Sequence, residues 1–179
     1  KKKWVERPGG ILFLIISYCI WGAVSLRWIT EFMEEQHPLT WAISAILFLV
    51  GLLIGIEPLL TADSPLFKNG YLIFQTGIIF LASLFYFELD FFALLYIVVC
   101  GQAMFLFPKR GQVWLVILII ITAVGQTIQF GLPIAISFIL LYSAALVFVA
   151  VFVRMVLRAD DARQQSEQLL AELQEAHSQ

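Results

Sequence analysis

Side chains able to do chemistry are sparse in this chain and lie far apart. Of the two histidines, His37 falls in a connecting stretch beside Glu34 and Glu35, and His177 lies near the C-terminus. The first group has the residue types of a metal site but reads better as a solvated loop. Cys19 and Cys100 fall inside different apolar stretches, with no thiol or imidazole nearby in sequence. That pattern is expected of buried, apolar cysteine. No phosphate loop, dinucleotide fingerprint, HExxH or CxxC is present. Accordingly no catalytic residue, cofactor or metal ligand is expected in this segment, and no nucleic-acid partner.

The remaining polar candidates sit within apolar sequence. Gln75 and Gln102 lie 13 and 14 residues from Glu88, roughly 20 Å of helix each way. In an antiparallel hairpin they reach the same depth, and an interhelical hydrogen bond between them is expected, worth about 0.6–2 kcal/mol. Gln126 and Gln129, with Ser137, are candidates to line an outer cavity. Glu57, just before Pro58, is expected to reach the interface, and Arg27 to snorkel outward from a helix end. With those two at helix ends the span interiors hold no ionisable residue, which argues against a pump or proton relay. Glu57 and Asp63 are too few for a membrane enzyme acting on lipid.

These residues are positioned by apolar helices. Hydrophobic residues make up 61% of the chain and charged residues 13%, far from a soluble domain. A bilayer core needs about 20 apolar residues per helix. Gly10 to Ile29 and Leu39 to Leu60 meet that length. Gly70 to Phe107 is broken by Glu88-Leu-Asp90, and two carboxylates at mid-bilayer are costly, so it divides into Tyr71–Phe87 and Phe91–Phe107. Gln112–Phe130 and Leu132–Val153 complete six spans, five if the third or fourth is re-entrant. With the N-terminus inside, only Arg27 of the 11 Lys and Arg faces out, as the positive-inside rule requires. Both termini are then cytoplasmic. The external loops carry Glu31, Glu34, Glu35, Glu88 and Asp90. Gly51 and Gly55 form a GxxxG step, read as packing within the bundle. The chain starts with Lys and reads as a segment of a longer protein, its first span retained in the membrane.

From Arg154 the composition turns charged with no Gly or Pro, so one helix is expected to continue through the membrane surface to Gln179. Met155, Ala162, Leu169 and Ala176 repeat at one heptad position, and Ala159, Ser166 and Leu173 at the other. That seam predicts a parallel homodimer. Small residues next to the membrane and leucines further out suit a switch better than a strut. The expected fold is an all-α membrane protein, a six-span helical bundle (1–153) with a C-terminal cytoplasmic coiled-coil signalling helix (154–179).

The closing segment, Leu157-Arg-Ala-Asp-Asp-Ala-Arg through Leu169-Leu-Ala-Glu-Leu-Gln-Glu-Ala-His177, resembles the helix of type LLxELxxAHxxL that leaves the membrane sensor of bacterial histidine kinases of the NarL/DesK-like class. The resemblance covers about 20 residues and the span architecture; the spans themselves carry no motif of the class. It implies a sensor of a two-component system in a bacterial inner or plasma membrane. It also implies a kinase core beyond this segment that uses ATP, and a cytoplasmic response regulator as partner. The phospho-acceptor motif, of the form ERxRxAREIHD, is absent, and His177 lacks its flanking residues, so His177 is read as a coiled-coil surface residue. The expected function is a membrane sensor relaying a bilayer or small-molecule stimulus through a dimeric helix. The alternative is a small multi-span transporter or channel with an oligomerising tail.

Overall fold

The computed structural model describes residues 8–32, 38–57, 64–85 and 90–178. Among them are six α-helices and no strand: α1 (Pro8–Phe32), α2 (Pro38–Ile56), α3 (Pro65–Phe85), α4 (Leu95–Leu106), α5 (Gly111–Phe130) and α6 (Leu132–Ser178), with a 3₁₀ turn, Asp90–Leu94, leading into α4. Prolines punctuate the chain as their chemistry dictates. Pro8, Pro38 and Pro65 open α1, α2 and α3, where a missing N–H costs nothing. Pro108 lies in the α4–α5 turn and Pro133 in the first turn of α6. The α5–α6 reversal is made by Gly131 alone, at φ 72 and ψ 160, a region open essentially to glycine.

Interhelical contacts give the direction of each helix. Trp21, Trp28 and Tyr18 of α1 donate to the Leu47 carbonyl (2.7 Å), the Ser44 hydroxyl (3.0 Å) and the Gly51 carbonyl (3.4 Å) of α2. As one number rises the other falls, so the pair is antiparallel. Between α3 and α5 the numbers rise together: Trp114 donates to Asn69 (3.3 Å), and Gln129 to the Ser83 carbonyl. Those two helices are parallel, as the first and third members of an up-and-down series must be. The bundle thus has one end holding the starts of α1, α3 and α5 and the exit of α6, the tail side, and an opposite end at the α5–α6 reversal.

Helix α4 is the axis of the bundle. Ten of its residues are buried, and its apolar side chains run all round it, as a fully enclosed helix requires. The Phe13 ring of α1 lies against Gly101 and within 5.1 Å of the Phe105 ring. Cys100 contacts the Leu146 carbonyl of α6 at 3.6 Å. The exterior is apolar instead: Ile15, Leu26, Phe48, Phe74, Val116, Ile120, Leu140 and Phe148 are all exposed. Exposed apolar area of this extent marks a surface made for something other than water.

Three helices are long and apolar enough to cross a membrane: Gly9–Thr30, Gly111–Phe130 and the apolar part of Leu132–Gln174; Thr40–Ile56 and Phe91–Leu106 are shorter apolar helices. These features fit a helical membrane protein. Some expectations meet a different outcome, while the exposed Arg27 and the packing of Gly51 and Gly55 agree with theirs. Cys19 is exposed on the bundle exterior, while Cys100 is buried. The interior is not bare, since Ser17, Glu57, Gln75, Thr76, Ser83, Gln102, Thr122 and Gln126 are all buried. Glu57 is only 2% exposed, so it does not reach an interface. The Arg27 guanidinium lies over the Phe91 ring at 4.8 Å, held by cation–π attraction. The GxxxG glycines receive Trp21 and Tyr18 of α1, packing within the bundle. The loop residues Glu34, Glu35, His37, Asp63 and Glu88 lie outside the described residues, as do Lys1–Arg7 and Gln179.

Candidate functional site

Polar side chains gather at two depths, near opposite ends of the bundle. The first group surrounds a small recess between α3, α4 and α5, lined by Ser83, Ala93, Tyr96, Ile121, Thr122, Gly125, Gln126 and Gln129. On α5, Thr122, Gln126 and Gln129 are spaced by four and three residues, one face of a helix. Gly125 stands among them without a side chain and keeps the space open. Gln129 spans to α3 by donating to the Ser83 carbonyl, and the Ser83 hydroxyl donates back to Phe80 at 2.8 Å. The Tyr96 hydroxyl stands near Ser83. Thr122 Oγ1, Gln126 Oε1 and the Tyr96 hydroxyl are buried without a hydrogen-bond partner. Buried polar atoms left so are costly, and they mark a seat for a hydrogen-bonding guest. The enclosed part has room for about one water molecule.

The second group lies on the tail side. Tyr71 donates to the Leu53 carbonyl at 2.9 Å and accepts from Gln102 Nε2 at 3.4 Å. The Gln102 carboxamide also stands beside the Glu57 carboxyl. Neither Glu57 oxygen, nor Gln102 Oε1, nor either polar atom of Gln75 has a hydrogen-bond partner. Gln75 and Gln102 are both 0% exposed, yet the expected bond between them is not formed: Gln102 pairs with Tyr71, one turn nearer the tail side. The five-residue 3₁₀ turn before α4 rises about 2.0 Å per residue rather than 1.5 Å, which contributes about 2.5 Å of the displacement of Gln102 past the level of Gln75.

Of the expected outer set, Gln126 and Gln129 line the recess. Ser137 does not; it is exposed on the outward face of α6. Ser83, Tyr96 and Thr122 complete the recess. Thr122 was legible from its four-residue spacing to Gln126, whereas Ser83 and Tyr96 carry no sequence signal. Neither group offers a nucleophile with a base, and no metal-binding cluster of His, Cys, Asp or Glu occurs among the described residues.

Helix α6 links the bundle to the tail. Tyr142, Leu146, Ala150, Val153 and Leu157 are buried against the bundle. Met155, Ala159, Ala162, Ser166, Leu169 and Leu173 are exposed. At about 100° per residue the two stripes point about 180° apart. All side chains from 161 to 174 are exposed, with Arg163 paired to Glu167 at 2.9 Å one turn on. The side chain of Ala176 lies outside those described. No family model matches the chain, and neither a curated protein nor a solved structure is significantly similar to it.

Proposed function

We infer that this chain is the six-span membrane sensor and transmitter of a two-component histidine kinase, set in a bacterial inner membrane with both termini cytoplasmic. The observation that carries the reading is α6, a single helix of 47 residues that packs along the bundle on one face and leaves the opposite face apolar beyond it. The outward stripe starts within the bundle. Leu141, Phe148, Met155, Ala162 and Leu169 follow one another at intervals of seven and are all exposed. A second copy of the same helix fits that stripe as a parallel partner. The polar recess lies on α5, the helix joined to α6 by Gly131 and packed along it. A bilayer or small-molecule stimulus that repacks the side chains around this small recess acts on the helix that leads to the cytoplasm. Rotation or scissoring of α6 then alters the spacing of the paired tails and hence the kinase core, which takes ATP and passes phosphate to a response regulator.

Transport is the weaker reading. The interior around the polar groups is packed with Ile79, Val98, Val99 and Leu118, each at most 1% exposed. The helix alternation and the 10-to-1 division of basic residues support six spans in this orientation.

Disulfide cross-linking of the intact chain in membranes tests the dimer. Single cysteines at Ala162 and Leu169 are expected to couple efficiently, and cysteines at Gln164 and Ala171, on the other face, weakly. Equal coupling at all four refutes the seam. Incubating the same membranes with labelled ATP tests the kinase half, and an intact chain that takes up no phosphate removes it.

A further inference from the structure

Glu57 continues the buried stripe of α2. Ile43, Leu47, Val50, Ile54 and Glu57 follow at spacings of four and three and are each at most 3% exposed. The carboxyl is therefore turned into the bundle, at the C-terminal end of a helix. That end carries the negative pole of the helix dipole and carbonyls with no intrahelical partner. Tyr71 satisfies one of them, on Leu53. The groups facing Glu57 are the Gln102 amide from α4 and, further off, the phenol of Tyr71 from α3. No Lys or Arg among the described residues pairs with it. Three acceptor atoms are thus buried without partners here, both carboxyl oxygens and Gln102 Oε1. A bare carboxylate so enclosed is prohibitive, and what the cluster lacks is one positive charge and donors, not further acceptors.

We propose that Glu57, Gln102 and Tyr71 form an intramembrane site for one monovalent cation, delivered as a proton or as a dehydrated alkali ion. Oxygen donors alone suit hard cations, and helix C-termini serve such ions in membrane proteins elsewhere. A single charge leaves the site neutral. Occupancy ties the end of α2 to α3 and α4, so the site sets how tightly the tail side of the bundle closes. It stands independently of the kinase reading.

The test uses the full chain in lipid nanodiscs. Its thermal midpoint is followed as sodium replaces N-methylglucamine at fixed pH and ionic strength, then as pH changes in N-methylglucamine alone. An alkali site is expected to raise Tm by about 3–5 °C per tenfold sodium above saturation, with Glu57→Gln flat. A proton site leaves the sodium series flat and shows a pH dependence that Glu57→Gln removes. Equal responses of wild type and Glu57→Gln, or none in either, overturn the proposal. Should Glu57→Gln fail to fold, carbodiimide modification of the wild type decides. Labelling at Glu57 that slows with added sodium or rising pH supports the site, and labelling indifferent to both, or absent throughout, refutes it.

Discussion

Alanine at Gly55 is the most pointed probe of how α1 meets α2. A Cβ built there falls well inside the radius of the Tyr18 hydroxyl oxygen, while the next atom of that side chain, Cζ, lies 3.8 Å away. Tyr18 is 38% exposed, and its swing is limited on one side by Trp21. Its ring meets Trp21 edge-on at 6.1 Å, and Trp21 is pinned by its bond to the Leu47 carbonyl. Overpacking of this kind costs about 1–3 kcal/mol, offset by about 0.5–1 kcal/mol from exchanging glycine for alanine in a helix. Gly55→Ala is therefore expected to destabilise by about 1 kcal/mol net. Tyr18→Phe alone loses a long hydrogen bond of 3.4 Å, worth about 0.5 kcal/mol. In the double variant the offending oxygen is gone and the Cβ meets Cζ at ordinary contact distance, so its stability is expected within about 0.5 kcal/mol of wild type. The coupling is then about 1.5 kcal/mol, within the range for residues in contact. Unfolding in mixed micelles with a rising fraction of denaturing detergent, followed by far-ultraviolet dichroism, measures all four proteins. Strict additivity, with the double variant at the sum of the two single losses, refutes the close approach.

Maleimide in mild detergent is expected to label the exposed Cys19 and spare the buried Cys100 until the bundle is unfolded; peptide mapping reads the result. Gln129→Leu removes the donor to the Ser83 carbonyl and is expected to lower stability by about 0.6–2 kcal/mol in the same unfolding assay. Leu118→Ala empties a fully buried position of the core and is expected to cost about 2–5 kcal/mol. Truncation after Asp160 removes only a segment whose described side chains are exposed, so the bundle's unfolding midpoint should hold while cross-linking through the tail is lost.

Helix ends were readable in the sequence because they are punctuated by chemistry. Glu88-Leu-Asp90 between two apolar runs and Gly131 before Leu132 each mark a break, whereas α3 begins at Pro65, six residues before the expected Tyr71. The expected fifth and sixth helices match α5 and the start of α6 to within a residue. Continuity of α6 into the charged tail was readable too, since nothing after Leu132 except Pro133 interrupts a helix, and Pro133 lies in its first turn. Interhelical register was less accessible. Part of the displacement of Gln102 from Gln75 to Tyr71 comes from the 3₁₀ turn, which a count of residues from Glu88 treats as ordinary helix.

Facing was hardest to read, and the reason is physical. A soluble helix announces its buried side by contrast with a polar one. In α1 and α2 both sides are apolar, so the period is present without a phase. The one polar residue near the end of α2 then misleads. Glu57 reads as the residue that turns outward, although its spacing of three to Ile54 and seven to Val50 puts it on the buried stripe. The same ambiguity hides Ser137 on the outward face of α6 rather than in the recess. In α6 the phase becomes visible only past Arg158, where charge returns and the leucines stand out. Carried back by sevens, that stripe falls on Met155, Phe148 and Leu141, away from Val153, Leu146 and Tyr142, which the bundle buries. The tail thus supplies the phase that the spans lack, and a single helix records both the face that packs and the face that the bundle leaves open.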